Sequence, residues 1–331
     1  MKWTARHPAP TPALPRFAGE GAISLPRLRG VRVGAERARS HCAPAPAPVH
    51  RNVIANGKQV EQTCATQIRA ARSRRSMDIK GKVVVVTGAA SGIGRAAALR
   101  FAAEGAAGIV AADLNPDGLI PVVQATGGIA VTCDVSKEED IRDLVRTAEA
   151  RYGRIDVYFS NAGIISRGGP ETPDAVWERN WKIHVMAHVW AARAVIEPML
   201  ARGGGYFLIT ASAAGLLNIV ESASYGVTKH GAVAFAEWLA IAYGRRGLRV
   251  SCLCPQLVRT AMMSSEETSA GIDGVLSAEQ VAAEIVRVMG EEHFLILPHP
   301  RVLDYARAKT ANYDRWIGGM QKLFAQYRGG Q

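Results

Sequence analysis

Val83-Val84-Val85-Val86-Thr87-Gly88-Ala89-Ala90-Ser91-Gly92-Ile93-Gly94 is the stretch from which the rest of the chain is read. Four consecutive β-branched residues suit a strand covered on both faces, as in a parallel sheet. The glycines follow as Gly-x-x-x-Gly-x-Gly, and residues 95–105 are alanine-rich and helical in composition. Glycine permits backbone angles and a close approach that a Cβ forbids. Free N–H groups at a helix start face anions such as a pyrophosphate. A glycine-rich turn between buried strand and helix therefore signals dinucleotide binding, with Gly88, Ser91, Gly92, Ile93 and Gly94 as candidate contacts. Residues 108–114 read as a second strand carrying Asp113 near its end. A carboxylate about 20 residues past the glycines accepts hydrogen bonds from ribose hydroxyls and repels a 2′-phosphate. Ser91 and Leu114 supply no compensating cation, although Arg95 is near in sequence, so the pattern favours NAD over NADP.

The alternation continues. Strand 129–133 leads to Asp134-Val135, helix 137–152 follows, and strand 155–160 ends in Asn161-Ala162-Gly163. After a long helical stretch, 173–201, come strand 205–211, helix 225–245, strand 248–254, helix 277–289 and strand 293–298. Seven strands separated by helices imply a single α/β domain over 77–300, a Rossmann-like doubly wound parallel sheet. Crossovers should be right-handed, with ligand at the carboxyl edge. Residues 301–331 read as one helix whose apolar stripe includes Leu303, Tyr305, Ala306, Tyr313, Trp316, Ile317, Met320 and Phe324, packed on the domain or on a neighbouring subunit.

The 331 residues are 48% hydrophobic and 21% charged, an ordinary globular mixture that excludes wholesale disorder, collagen and a disulfide scaffold. No apolar run reaches the ~18 residues of a membrane span. The net charge of +11 invites a nucleic-acid or membrane reading. Its distribution removes that appeal: residues 1–76 hold 14 Lys and Arg against three acids, while 77–331 hold 26 of each sign. The 1–76 extension also carries eight of the 16 prolines and neither a helical nor a strand period, which predicts disorder. Three readings of it stay open: an Arg-rich transit peptide, a basic arm for anionic surfaces, or a segment outside the native protein, with translation starting at Met77. Five cysteines (Cys42, Cys64, Cys133, Cys252 and Cys254) make no framework and suit a reducing compartment, so a cytoplasmic location is expected.

Tyr225-Gly226-Val227-Thr228-Lys229 places a phenol and an ammonium one helical turn apart. A free tyrosine titrates near ~10, and a nearby cation lowers that value. The pair alone is commonplace, but its context is not. The chain resembles the short-chain dehydrogenase/reductase family over roughly residues 78–300, on residues 87–94, Asp113, Asp134, Asn161-Ala162-Gly163, Ser212, Tyr225 and Lys229. Ser212 stands 13 residues before Tyr225, the separation that family uses. The resemblance implies an NAD-dependent oxidoreductase of a secondary alcohol or ketone. Tyr225 would exchange the alcohol proton, Lys229 would bind the nicotinamide ribose and lower the Tyr225 pKa, and Ser212 would hydrogen-bond the substrate oxygen. Asn161, Ala162 and Gly163 would lie beside the cofactor, Asp134 and Val135 would flank adenine, and Pro255, Val258 and Thr260 would approach the nicotinamide.

Two positions depart from the family pattern. Its catalytic asparagine slot is His184 here, in Lys182-Ile183-His184-Val185-Met186. The family uses that residue largely through a main-chain carbonyl that holds a relay water; a histidine keeps the carbonyl and adds a titratable ring. Two readings of His184 stay open: it preserves the relay with altered pH dependence, or it is a near-silent substitution. His184 and His188 also share a metal-binding spacing, but no acid of the zinc type accompanies them and no metal is expected. Pro255-Gln256 replaces the family's Pro-Gly and restricts that turn.

Residues 261–275, with Met262 and Met263, occupy the place of the family's lid. With Leu216, Leu217 and Ile219 they point to a lipophilic substrate. The helix at 225–245 is apolar nearly all round (Val233, Phe235, Trp238, Leu239, Ile241), which implies burial on every side. The family pairs this helix between subunits, so a homodimer or homotetramer is expected. Other readings compete: an NADP-dependent ketoreductase, a non-catalytic NAD-binding regulator permitted by His184, and nucleic-acid binding through 1–76, for which the core offers no recognition module.

Overall fold

Strand β1 (Val83–Thr87) is buried at every position and pairs in parallel on both sides, with β2 (Gly108–Asp113) and β4 (Val157–Ser160). The computed structural model describes residues 77–260 and 269–328; the readings that fall on 1–76, including Cys42 and Cys64, and on Met262 and Met263 lie outside the described residues. β3 (Ile129–Thr132) flanks β2, while β5 (Gly205–Thr210), β6 (Leu248–Leu253) and β9 (Leu295–Ile296) extend the sheet beyond β4. The order is β3-β2-β1-β4-β5-β6-β9 and every pairing is parallel, as expected from the alternation. The strand order reverses at β1 and β4, so their carboxyl ends open the crevice where such sheets take ligands. A short parallel pair, β7 (Val258–Arg259) with β8 (Leu276–Ser277), stands apart from this sheet.

Successive side chains of β1 enter opposite cores. Val84 and Val86 pack with Phe101 of α1 (Gly92–Ala103), Leu119 of α2 (Pro116–Thr126) and Ile285 of α8 (Ala278–Glu291). Val85 packs with Leu144 of α3 (Glu138–Tyr152), Ala191 of α5 (Ala187–Ala201) and Ala232 of α7 (Ala223–Tyr243). Both faces of the sheet are thus covered, which is why the strands read as unbroken apolar runs.

Four features differ from the sequence reading. α2 is not among the predicted helices: Pro116, Gly118 and Pro121 mask it, yet Asn115 caps it through Gly118 N–H and Pro116 suits the first turn. The stretch 173–201 is three pieces, α4 (Asp174–Trp181), a π-helical turn (Lys182–Met186) and α5. The tail is two helices, α9 (Arg301–Ala311) and α10 (Tyr313–Arg328), broken at Asn312, whose extended backbone ends one and whose side chain accepts Arg315 N–H to start the next. Lastly, α7 is not buried all round in the single chain: Val227, Trp238 and Ile241 are 52%, 56% and 80% exposed.

Asp156 sets the start of the sheet. Its Oδ2 accepts Val83 N–H at 2.9 Å, Arg154 Nε donates to Oδ1, its N–H donates to Val83 O and its carbonyl accepts Tyr206 N–H. We expect Asp156→Ala, which strands a buried N–H, to cost about 1–3 kcal/mol in urea unfolding; an unchanged midpoint would show that β1 is held elsewhere.

Candidate active site

Gly88 (φ +69°) and Gly92 (φ +53°) adopt left-handed backbone that side chains resist. Gly94 needs glycine for space: a Cβ there would lie 2.1 Å from Gly88 O and 2.6 Å from Asn161 Nδ2. Ser91 begins α1 without a side-chain capping bond, so the first-turn N–H groups are left to an anion. Across the turn, Asp113 ends β2 with Oδ2 accepting Ala90 N–H and Oδ1 accepting Asn115 N–H, both at 3.0 Å.

Asn161 follows β4 and ties the strand ends together. Its Nδ2 donates to Thr87 O at 3.0 Å, its backbone N–H donates to Thr87 Oγ1 at 2.9 Å, and its Oδ1 accepts from Thr210 Oγ1 at 2.9 Å. Ala162 N–H shares Thr87 Oγ1. From the sequence Thr87 entered only as the start of the 87–94 segment, with no role of its own, and Thr210, two residues before Ser212, was not selected.

Ser212 lies just past β5; its Oγ accepts Ala214 N–H at 3.1 Å and stands 3.4 Å from Pro255 O. Ser222 caps α7 by accepting Tyr225 N–H, which starts the helix where Tyr225 and Lys229 fall one turn apart. Lys229 Nζ donates to Thr210 O at 2.9 Å and lies 5.6 Å from the Tyr225 ring centroid. Lys229 is 3% exposed, and burial lowers its pKa to about 8. Burial likewise raises the Tyr225 phenol above its ordinary value, against an opposing hydrogen bond with Ser212.

One cavity of about 450 Å³ connects these groups. Gly88, Ser91, Gly92, Ile93, Asp113, Asp134 and Val135 line one part; Asn161, Ala162, Gly163, Ser212, Tyr225, Lys229, Pro255, Val258 and Thr260 line the rest. Of the described residues selected from sequence for the site, Gly94, His184, Leu216 and Leu217 are not part of this lining; Leu217 packs instead with Ala213 and Val302. Ile164, Ile165, Ile183, Ile219, Leu257, Arg179 and Glu221 also line the cavity. Of these only Ile219 was singled out from the sequence, because the others come from loops and a helix with no local motif.

Residues 82–270, more than half of the chain, match the family model described as short chain dehydrogenase. The chain belongs to the short-chain dehydrogenase/reductase family. It is 37% identical over 231 residues, 66% of this chain and 84% of the relative, to 1-deoxy-11-beta-hydroxypentalenate dehydrogenase of Streptomyces exfoliatus. Among solved structures, a short-chain dehydrogenase/reductase of Burkholderia phymatum in complex with NAD is 28% identical, with a TM-score of 0.65 and coverage of 72% of this chain and 96% of that one. L-sorbose reductase of Gluconobacter frateurii, complexed with NADPH and L-sorbose, is also 28% identical, with a TM-score of 0.60 and coverage of 67% and 95%. This short-chain dehydrogenase/reductase is accordingly an oxidoreductase of the CH–OH group with a nicotinamide cofactor, and NAD and NADPH both occur among its structural relatives. The residues present fit such a group: a turn with no space for a Cβ, an uncapped helix start, and a carboxylate at the end of β2.

His184 is wholly buried in the π-helical turn of this dehydrogenase, with its ring edge-on to Tyr225 at 5.4 Å and 86°. Thr228 Oγ1 donates to Ser224 O at 2.8 Å, so it receives His184 Nδ1–H at 2.9 Å; Nε2 then accepts Ile164 N–H at 3.1 Å. The neutral Nδ1–H form satisfies both nitrogens, and a proton on Nε2 would face another donor. Burial, with the Lys229 charge, also holds the imidazole well below its usual pKa. The titratable ring expected from sequence is therefore a neutral pin. His188 faces Ser160, its Nδ1 2.6 Å from Oγ, and among the described residues no cluster of three metal-ligating side chains occurs.

The buried ammonium has a consequence for stability. Lysine titrates at 10.5 when unperturbed and at about 8 here, so the folded chain carries a charging penalty in full below pH 8, and the penalty vanishes above 10.5. We expect Lys229→Met to be more stable than the parent by about 1–3 kcal/mol at pH 7, with the gap closing as pH rises toward 10.5. Denaturant titrations across that range read this directly, and a variant less stable at pH 7 contradicts it.

Proposed function

We propose that this protein is an NAD-dependent dehydrogenase of lipophilic secondary alcohols, acting reversibly on the corresponding ketones. The observation that carries the reading is that Ser212, Tyr225 and Lys229 meet in the same cavity as the glycine turn and Asp113. Tyr225 accepts the hydroxyl proton of the alcohol, or returns it to the ketone. Ser212 hydrogen-bonds the substrate oxygen and aligns it with that phenol. Lys229, anchored on Thr210 O, provides the positive charge that favours phenolate. The bound nicotinamide would supply the hydride acceptor. Asn161, Ala162 and Gly163 would hold the cofactor on the side of β4, and Asp134, Val135, Pro255, Val258 and Thr260, which line the same cavity, would hold the rest of it. His184 is read as a positioning residue that fixes Ile164 against α7.

Asp113 supports NAD over NADP. Its neighbour Leu114 is 61% exposed and uncharged. Arg95 is outside the cavity lining and contributes instead to the low pKa of Glu279, which is set chiefly by hydrogen bonds from its own backbone N–H and from Ser277. Ile164, Ile165, Ile183, Ile219 and Leu257 support a lipophilic substrate. The three described cysteines are free and buried, which supports a reducing, cytoplasmic setting. The catalytic domain is taken as 77–300, with 301–331 as its tail.

A panel of secondary alcohols followed by NADH absorbance tests the reading. Tyr225→Phe should cost about a thousandfold or more in kcat, with NADH affinity kept within about threefold. NAD should bind at least about tenfold more tightly than NADP, as the ribose-binding carboxylate requires. Tight NADH binding without turnover of any alcohol would favour a regulator, and a reversed coenzyme ratio the NADP reductase.

Assembly is part of the proposal. Trp238 and Ile241 stand about three and four turns beyond Val227 on one face of α7, beside the 46% exposed Trp181. Such a face suits pairing with a second copy in a homodimer or homotetramer. Trp238→Glu should therefore lower the mass measured by light scattering, and an unchanged mass would place the interface elsewhere.

A further inference from the structure

The family match ends at residue 270, yet α9, beyond it, reaches the immediate surroundings of Ser212. Wholly buried Val302 packs with Ala213 and Leu217, at either end of the short helix α6 (Ala214–Leu217) that follows Ser212. At the far end of α9, Lys309 Nζ donates to Leu216 O at 2.7 Å. Just before α9, His299 is 3% exposed and turns Nδ1 to accept the N–H of Gln256 at 3.2 Å. The preceding Pro255 carbonyl accepts Ala213 N–H at 2.8 Å and stands 3.4 Å from Ser212 Oγ. A third tie meets the same turn from outside: Arg301 Nη1 and Tyr305 Oη donate to Asp273 Oδ1, and Leu276, three residues on, donates its N–H to Leu257 O. Ser212 therefore lies between two pieces of chain, residues 255–257 and α6, and both are attached to α9 or its approach.

We propose that His299 is a positioning residue for Ser212: by accepting the Gln256 N–H it sets the Pro255 carbonyl, against which Ser212 and Ala213 are placed. The proposal rests on the reading of Ser212 as the hydroxyl that holds the substrate oxygen. Its physical basis is that peptide 255–256 carries two opposed hydrogen bonds, an N–H to the imidazole and a carbonyl toward Ala213 and Ser212. Removing the acceptor leaves a buried N–H unpaired, and the peptide rotates to satisfy it. The carbonyl turns with it, and displacement of a substrate-aligning hydroxyl falls on turnover more than on coenzyme binding.

The test uses the full chain and the best alcohol of the panel. His299→Leu keeps bulk and removes the acceptor, while His299→Asn presents Oδ1 where Nδ1 stood. We expect His299→Leu to lower kcat about tenfold, a larger loss than any change in NADH Kd, and His299→Asn to restore kcat to within about threefold of the parent. Amide exchange of Gln256 should quicken in the leucine variant and recover in the asparagine variant. The proposal is overturned if folded His299→Leu retains the parental kcat and Gln256 protection, or if the two variants are equally impaired. Should His299→Leu not fold, His299→Gln, with its acceptor one bond farther out, takes its place under the same criteria. If the parent turns over no alcohol, the reading of Ser212 has failed; Gln256 exchange then still decides whether His299 holds the turn.

Discussion

Asn161 joins the carboxyl ends of three neighbouring strands, and the rest of the site is arranged around that junction. Its amide donates to Thr87 O and accepts from Thr210 Oγ1, while its backbone N–H goes to Thr87 Oγ1. Only a side chain with both a donor and an acceptor does this, so neither aspartate nor leucine is a substitute. Thr87 leads into the glycine turn, and Thr210 O receives Lys229 Nζ. The glycine turn and the lysine beside Tyr225 are thus parts of one hydrogen-bonded structure.

Burial biases three titratable groups of this neighbourhood in a common sense. Tyr225 is pushed up, Lys229 is brought down to about 8, and His184 is held neutral. Each shift favours the uncharged form, because a low-dielectric wall penalises charge of either sign. A proton exchanged here moves among groups whose charged states are all costly, so small changes in hydrogen bonding weigh heavily. Ser212 acts on the phenol in that way, and Pro255 O lies within 3.4 Å of Ser212 Oγ.

What the sequence discloses follows from how local its causes are. The valine run and the glycine spacing are dictated within a dozen residues, and so is the Tyr225–Lys229 turn; all are visible in the bare chain. The break at Asn312 carried a local signal as well, an asparagine able to cap a helix, but the apolar stripe on either side hid it. The π-helical turn at Lys182–Met186 has no signature in its residues, and the neutral state of His184 depends on Thr228 and Ile164, which are distant in sequence. The apolar face of α7 is legible in the composition, but composition does not say whether the covering partner is the same chain or another, and in the single chain Val227, Trp238 and Ile241 stay exposed. His299 and Lys309 escaped notice for the reason that a single polar residue in a tail has no pattern to belong to.

The crowding at Gly88, Gly92 and Gly94 also restricts where this protein's coenzyme preference is open to change. A methyl group at any of the three would collide with backbone or with Asn161 or Thr260, so drift at those three positions is closed off. The end of β2 is different: Asp113 faces the cavity, and Leu114 projects largely into solvent with room for a longer side chain. A lineage or an engineer seeking to exchange one dinucleotide for the other has room at those two adjacent positions and at the exposed Ser91, which also lines the cavity.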